Sequence, residues 1–376
     1  MKSEETQIKG PRLEKPVRIT DQIWPEGTMP VVSVFCITYN HVNFIRDAIE
    51  GFLMQETTFP VEIFIHDDAS TDGTAEIVQE YAEKYPNLFW TVLQTENQWS
   101  TGNRKILFEH LAKQRGEYVA HCEGDDYWIA KDKLEKQVNI LDNDLIISIV
   151  FNNAWCKYIE SKHDYFLNKD IDKKRFNLLD IIERDWIMAT SSLMHRKLEL
   201  IPNILTSFAF AGDKLIQLFA LMKGDAFYYD KVCSVYRIHS GGITSRWKES
   251  EKNNCKEITP NMLWMYFFLQ FNFFPDSAKV YVDKLMRSYI KRIAAYVVKN
   301  EKLSLPFFLR DLKINVKKII NSSRPNFYDY KKDLNFFHFM DFIEKECVIF
   351  WIQIPKYRFR ELIRPCLVIL REWIRS

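Results

Sequence analysis

The chain has 376 residues, of which 47% are hydrophobic and 27% charged, and a net charge of +2. This composition excludes a disordered chain, and the length leaves room for a large α/β domain and a second region. No apolar run reaches the roughly 20 residues that a membrane-crossing helix needs; the best candidates, 262–274 and 347–354, are broken by Gln270, Asn272 and Gln353.

The charge is unevenly spread. Of 52 Lys and Arg residues, 23 follow residue 250, against 13 of the 50 Asp and Glu, so residues 1–250 keep 29 basic and 37 acidic groups. Such a split predicts two regions with different partners. The seven cysteines, Cys36, Cys122, Cys156, Cys233, Cys255, Cys347 and Cys366, are scattered and form no Cys-x-x-Cys pair. They read as reduced core thiols of a cytosolic protein, not as a disulfide framework or a zinc site. No secretory signal opens the chain: residues 1–30 are polar, contain Pro11, Pro16, Pro25 and Pro30, and read as an extended lead-in.

From residue 31 strands and helices alternate. Residues 31–37 form a nearly unbroken apolar run, as expected for a strand covered on both faces. Thr38-Tyr39-Asn40-His41 ends it, and Phe44, Ile45, Ala48, Ile49, Phe52 and Leu53 then recur at helical spacing. A second strand spans 61–66. The turn Asp67-Asp68-Ala69-Ser70-Thr71-Asp72-Gly73-Thr74 follows, rich in helix-capping side chains, and a helix spans 75–85. Strand 89–94, a loop with Gly102 and Asn103, helix 104–113 and strand 118–122 complete the series. This alternation predicts a mostly parallel sheet with helices on both faces. Ligands of such sheets sit at the carboxyl ends of the strands, where the clusters 38–41, 67–74 and 123–126 converge.

The last of these clusters, Glu123-Gly124-Asp125-Asp126, ends its strand in adjacent carboxylates. Neighbouring carboxylates oppose each other's ionisation. A hard cation such as Mg²⁺ or Mn²⁺ removes that cost, using one or two carboxylates and leaving its other positions to water and substrate phosphates. The alternative is a solvated acidic turn. The Asp67-Asp68 pair at the previous strand end can likewise cap its helix, or accept a hydrogen bond from the ring N–H of a base.

Taken together, Thr38-Tyr39-Asn40, the 67–74 turn, the Asn97…Gly102-Asn103 loop and the block from Gly116 to Trp128 resemble the nucleotide-binding half of a family 2 glycosyltransferase with the GT-A fold. The resemblance implies a GT-A-like catalytic domain over residues 31–245. It also implies that Asp68 contacts the base and that Thr38, Tyr39 and Asn40 line the base pocket, with Asn103 beside it. Asp125 would meet the ribose or the metal, and Asp126 would hold the Mg²⁺ or Mn²⁺ that bridges the diphosphate. The implied donor is a nucleoside-diphosphate sugar, with a UDP-sugar favoured, and the implied acceptor a glycan or lipid-linked molecule of bacterial surface polysaccharide assembly.

Two later features extend the resemblance. Asp213 opens a helix over 214–222 and is either an N-cap or the general base of an inverting transfer, which needs a carboxylate facing the acceptor hydroxyl. In Tyr236-Arg237-Ile238-His239, the resemblance allows His239 to complete the metal shell, or His239 and Arg237 to bind the diphosphate. A structural His is the alternative.

Residues 246–376 have a helical pattern with basic, aromatic-bearing faces. Helices of that kind lie on anionic membranes, here the inner face of the cell membrane, or pack on the catalytic domain or on a second copy. No nucleic-acid-binding module accompanies them. The competing enzyme class is a nucleotidyltransferase. Its phosphate-binding loop would follow the first strand, where this chain has Thr-Tyr-Asn-His. The competing non-enzyme class is a sugar-nucleotide-binding scaffold, against which the intact acidic positions count.

Overall fold

The computed structural model describes residues 10–184, 186–198, 201, 212–242, 278, 282 and 284–286. The chain divides into two units, one of Met1–Ile201 with Asp213–Ser240, the other of Pro202–Gly212 with Gly241–Ser376. The expected basic amphipathic helices of the second unit lie almost wholly outside the described residues.

In the first unit the elements run β1 (Val17–Arg18), β2 (Val32–Thr38), α1 (Ile45–Leu53), β3 (Glu56–Thr57), β4 (Val61–Asp67), α2 (Thr74–Lys84), β5 (Phe89–Leu93), α3 (Lys105–Ala112), β6 (Tyr118–His121), β7 (Tyr127–Trp128), α4 (Lys133–Asn143), β8 (Ile147–Tyr158), β9 (Tyr165–Phe166), β10 (Arg175–Phe176), α5 (Leu178–Glu183), β11 (Leu193–Arg196), α6 (Gly212–Leu221) and β12 (Asp225–Ile238). The main sheet has the order β10-β12-β8-β11-β6-β2-β4-β5. Strands β6, β2, β4 and β5 are mutually parallel, and β8 runs parallel to β12. Strand β11 is antiparallel to both of its neighbours, β6 and β8. This is the mixed α/β, GT-A-like architecture that the strand–helix alternation and the motifs predict.

The apolar runs become central strands because both of their faces are covered. All seven residues of β4 are buried, including Glu62. A buried carboxylate is tolerated only when paired and hydrogen-bonded. Here Arg115 Nε donates to Glu62 Oε2 at 2.6 Å, its backbone N–H donates to Oε1, and Ser33 Oγ donates to Oε1 at 2.5 Å. This network closes the end of the sheet away from the acidic turns. Helix α1 packs its apolar face, Ile45, Ala48, Ile49 and Phe52, into the core. Gly51 on this helix touches the main chain of Trp128, where an added Cβ would sit 2.9 Å from Trp128 N and O. Trp128 Nε1 donates to the Ser191 carbonyl at 2.8 Å, tying β7 to the segment before β11.

The stretch read as a lead-in is partly built into the fold. Strand β1 pairs with β3, Ile19 is buried in the core, and Gln22 Nε2 donates to the carbonyls of Val17 and Thr57. The local sequence hid this because the partners lie more than 30 residues away. The described cysteines, Cys36, Cys122, Cys156 and Cys233, are buried thiols outside any disulfide, as expected. No helix among the described residues is long and apolar enough to cross a membrane.

Candidate functional site

Parallel pairing aligns the strand ends. Thr38 stands beside Asp67, the Asp68 N–H donates to the Thr38 carbonyl, and the Gly124 N–H donates to the Ile37 carbonyl. Three chain segments distant in sequence thus meet at one edge. Gly124 is required there, since an added Cβ would collide with the Thr38 side chain and lie 3.1 Å from His41 Nδ1.

The turn after β4 and the turn after β2 hold each other. Asn40 adopts a positive φ of 56°, donates its N–H to Ser70 Oγ, and accepts the Thr71 N–H on Oδ1. Asn tolerates this backbone region better than most residues. Asp67 accepts the Ser70 N–H and hydroxyl, at 2.9 and 2.5 Å. Burial raises its carboxyl above the usual range, opposed by those two hydrogen bonds. Asp72 accepts from the N–H of Val42 and from the N–H and hydroxyl of Thr74. Asp67, Asp72 and Asn40 therefore shape the turns.

Asp68 faces the next loop. Its Oδ1 accepts the Gln98 N–H at 2.8 Å and its Oδ2 the Trp99 N–H at 3.0 Å. Burial pushes this carboxyl up, but the His66 imidazole 3.6 Å away and the N–H donors of Trp99 and Gln98 outweigh it, and its pKa falls below the ordinary value. Each carboxylate oxygen keeps a further lone pair for a ligand. Asn103 donates to Gln98 Oε1 at 2.6 Å, within the same loop. Tyr39 is 43% exposed at this edge, and Thr38 is buried with Oγ1 3.1 Å from His41 Nδ1.

The acidic cluster follows. Asp125 Oδ2 lies 3.1 Å from His239 Nε2 and 3.7 Å from His41 Nε2. Burial pushes its carboxyl up, but the two imidazoles pull it below the usual range. Asp126 differs. It is 1% exposed, its Oδ1 accepts the Arg237 N–H at 2.8 Å, and its Oδ2 is buried without a hydrogen-bond partner. Burial, then Asp125 and Glu123, raise its carboxyl far above the ordinary value. Burial, then the fields of Asp125 and Asp213, push Glu123 up to about 8. Burial also raises Asp213, in the first turn of α6. Asp126 is buried, Glu123, Asp125 and Asp213 are half-buried, and the like charges of Asp125 and Asp213 act on Glu123.

Sequence reasoning placed the metal chiefly on Asp126. In the structure the carboxylate beside the imidazoles is that of Asp125, while Asp126 is turned into the protein against the main chain of β12. One of the two alternatives for the 236–239 segment had Arg237 binding the diphosphate. Its side chain is 6% exposed and is held by Asp47 and by the Asp125 carbonyl. Glu123 and His41 received no role from the sequence. The signal for Glu123 was the acid-x-acid spacing Glu123-Gly124-Asp125, but His41 had none beyond its place at a strand end.

Among the described residues no three His, Cys, Asp or Glu side chains form a ready-made metal cage. Asp125 and His239 nevertheless offer two adjacent donors beside carboxyls whose ionisation is suppressed by burial and by their like-charged neighbours. A cation that shares its shell with substrate phosphates needs no more from the protein. The donor set fits Mn²⁺ or Mg²⁺ in that mode.

The fold and the edge site define a GT-A-like domain. Residues 33–200 match the model of the family described as glycosyl transferase family 2, and the domain these residues form is a domain of that family. An uncharacterised protein of Mycobacterium tuberculosis is 34% identical over 212 residues, covering 56% of this chain and 60% of the relative. The chain thus spans about three fifths of the length of that relative. A Bacillus subtilis protein with the provisional name teichuronic acid biosynthesis glycosyltransferase TuaG is 38% identical over 112 residues, 30% of this chain and 42% of that one. Among solved structures, Staphylococcus aureus TarS 1–349 in complex with UDP-GlcNAc has a TM-score of 0.54 at 17% identity, covering 85% of this chain and 89% of that one. That likeness is one of fold.

Proposed function

We propose that the chain transfers a sugar from a nucleoside-diphosphate sugar, with a UDP-sugar favoured, to a hydroxyl of a glycan or lipid-linked acceptor, with inversion at the anomeric carbon. The observation that carries this reading is the meeting of Asp125 with His239 and His41 at the edge where the turns after β2, β4 and β6 come together. The family of residues 33–200 supports it, as do the nucleotide sugar in the TarS complex and the teichuronic acid assignment of the Bacillus relative. The name of the Bacillus relative also supports a role in bacterial surface polysaccharide assembly.

In this reading Asp68 and the turn at Thr38, Tyr39 and Asn40 receive the base, with Asn103 holding the 97–103 loop behind it. Asp125 and His239 would hold the divalent cation. When bound, it neutralises the charge that grows on the diphosphate leaving group. Asp213 takes the proton of the acceptor hydroxyl, a task suited to a carboxylate whose proton affinity is raised by burial. Asp126 fixes the turn through the Arg237 N–H.

The test is release of nucleoside diphosphate from UDP-, GDP- and dTDP-sugars with Mn²⁺, on wild type and Asp125→Asn. Release from one donor, abolished by the substitution and by chelator, is expected. No release and no thermal stabilisation by any of these nucleotides, even with lipid vesicles and acceptor present, overturns the reading.

A further inference from the structure

We infer that Asp47 and Arg237 act together as a positioning clamp for the Asp125 turn, an inference that rests on the reading of Asp125 as the carboxylate serving the metal and diphosphate. Asp47 lies in the first turn of α1, in none of the motifs at the strand ends. Its Oδ2 meets Arg237 Nη2, across 190 residues of sequence.

Arg237 makes four further attachments. Its Nη1 donates to the Asp125 carbonyl at 2.9 Å, and its backbone N–H donates to Asp126 Oδ1 at 2.8 Å. Its guanidinium carbon stands 4.2 Å from the Tyr127 ring centroid and 5.0 Å from that of Phe44. One buried side chain thus touches Asp125 and Tyr127 directly, while its backbone holds Asp126.

The geometry explains why these attachments bear on chemistry. Residues two apart in a strand share a face, so Arg237 and His239 reach the same turn from the end of β12. Arg237 holds the Asp125 main chain while His239 Nε2 faces its carboxylate at 3.1 Å. The His239 ring also packs 4.8 Å from Phe44, just before α1. Asp47 completes the arrangement by anchoring the guanidinium to α1. Its own side chain is 56% exposed, so its place is set by the ion pair and not by packing. Without it, Arg237 keeps its charge but loses the anion that fixes its planar fork. A guanidinium holds two partners in fixed directions, which a lysine ammonium does not. Asp47 and Arg237 are therefore positioning residues that orient Asp125 without touching substrate.

The test is calorimetric titration of UDP into the full chain, with and without Mn²⁺, for wild type, Asp47→Ala, Asp47→Glu and Arg237→Lys, each paired with a thermal melt. Outer-shell support of a metal site typically carries 10–100-fold in affinity. Asp47→Ala is therefore expected to weaken Mn²⁺-dependent UDP binding by about tenfold or more, with metal-free binding and the melting temperature close to wild type. Asp47→Glu should restore much of the loss, and Arg237→Lys should not escape it. Equal Mn²⁺-dependent affinity in Asp47→Ala and wild type overturns the clamp while leaving the function intact. A loss that appears equally without Mn²⁺ and tracks a lowered melting temperature also overturns it, marking the pair as structural. Wild type that binds none of UDP, GDP and dTDP with Mn²⁺, even with lipid vesicles and acceptor present, overturns the functional reading and the clamp with it.

Discussion

His239 Nε2 lies 3.1 Å from Asp125 Oδ2, although the two residues are 114 positions apart. The contact joins the end of β12 to the turn after β6 and gives one carboxylate two imidazole neighbours, since His41 Nε2 is 3.7 Å away. Replacing Asp125 by Asn keeps the shape but removes the charge. Metal-dependent nucleotide binding should fall by about 100-fold or more, since loss of a ligand exceeds the loss seen for outer-shell partners. His239→Ala should show a smaller loss in the same direction. Titration of UDP with and without Mn²⁺ checks both.

Asp213 should reveal itself in kcat. Removing a general base typically costs about 10²–10⁴ in rate, so Asp213→Asn should lower kcat by that order with little change in donor KM. Burial raises this carboxyl above its ordinary value. The active form is the carboxylate, so activity is lost as pH falls through the raised pKa. The acid limb of the wild-type profile should lie above the roughly 3.9 of a free Asp. A kcat for Asp213→Asn equal to wild type would remove Asp213 from the chemistry.

Gly124 should resist any side chain. An added methyl meets Thr38 and comes within 3.1 Å of His41 Nδ1. Overpacking of this kind costs about 1–3 kcal/mol. Gly124→Ala should lower urea stability by that order and weaken nucleotide binding, whereas Gly102→Ala, with open space around its Cβ position but a positive φ of 81°, should affect only the loop.

The buried pair His121–His195 should make the fold acid-sensitive. Their Nε2 atoms are 2.8 Å apart, and His195 Nδ1 is 2.7 Å from the Arg196 carbonyl. His195 therefore donates through Nδ1 and accepts from His121 through Nε2, with both rings neutral. Burial pushes His195 down to about 4, and burial with its neighbour pushes His121 well below 6.5. The unfolded chain takes up these protons near pH 6.5 and the native state does not, so stability falls as pH drops from about 6.5 toward 4, at up to about 1.4 kcal/mol per pH unit for each proton. Urea melts at pH 7, 5.5 and 4.5 should show the slope, and His195→Gln should reduce it.

The sheet was legible because its strands are covered on both faces, which leaves an apolar run in the sequence. The glycine and the acids of the 116–128 block were legible because strand ends in such folds carry ligands. The sequence did not distinguish Asp125 from Asp126, since adjacent residues differ only in the side to which the backbone turns them. Nor did it show that Lys133 is fully buried, its ammonium 4.3 Å from the Trp128 ring centroid and donating to Gln137 Oε1, with burial holding its pKa down to about 8. A lysine at a helix start reads as solvent-exposed unless the partner rings are known.

The sequence alone therefore determined the α/β alternation, the strand ends whose turns share one edge and the residue types that gather there, because periodicity and turn chemistry are local. Tertiary structure decided which carboxylate meets His41 and His239, that Arg237 is bound by Asp47, and that part of the amino-terminal stretch joins the core. Those outcomes depend on contacts between segments from about 30 to 190 residues apart, whose registers are set by strand pairing and packing, and no local pattern encodes them.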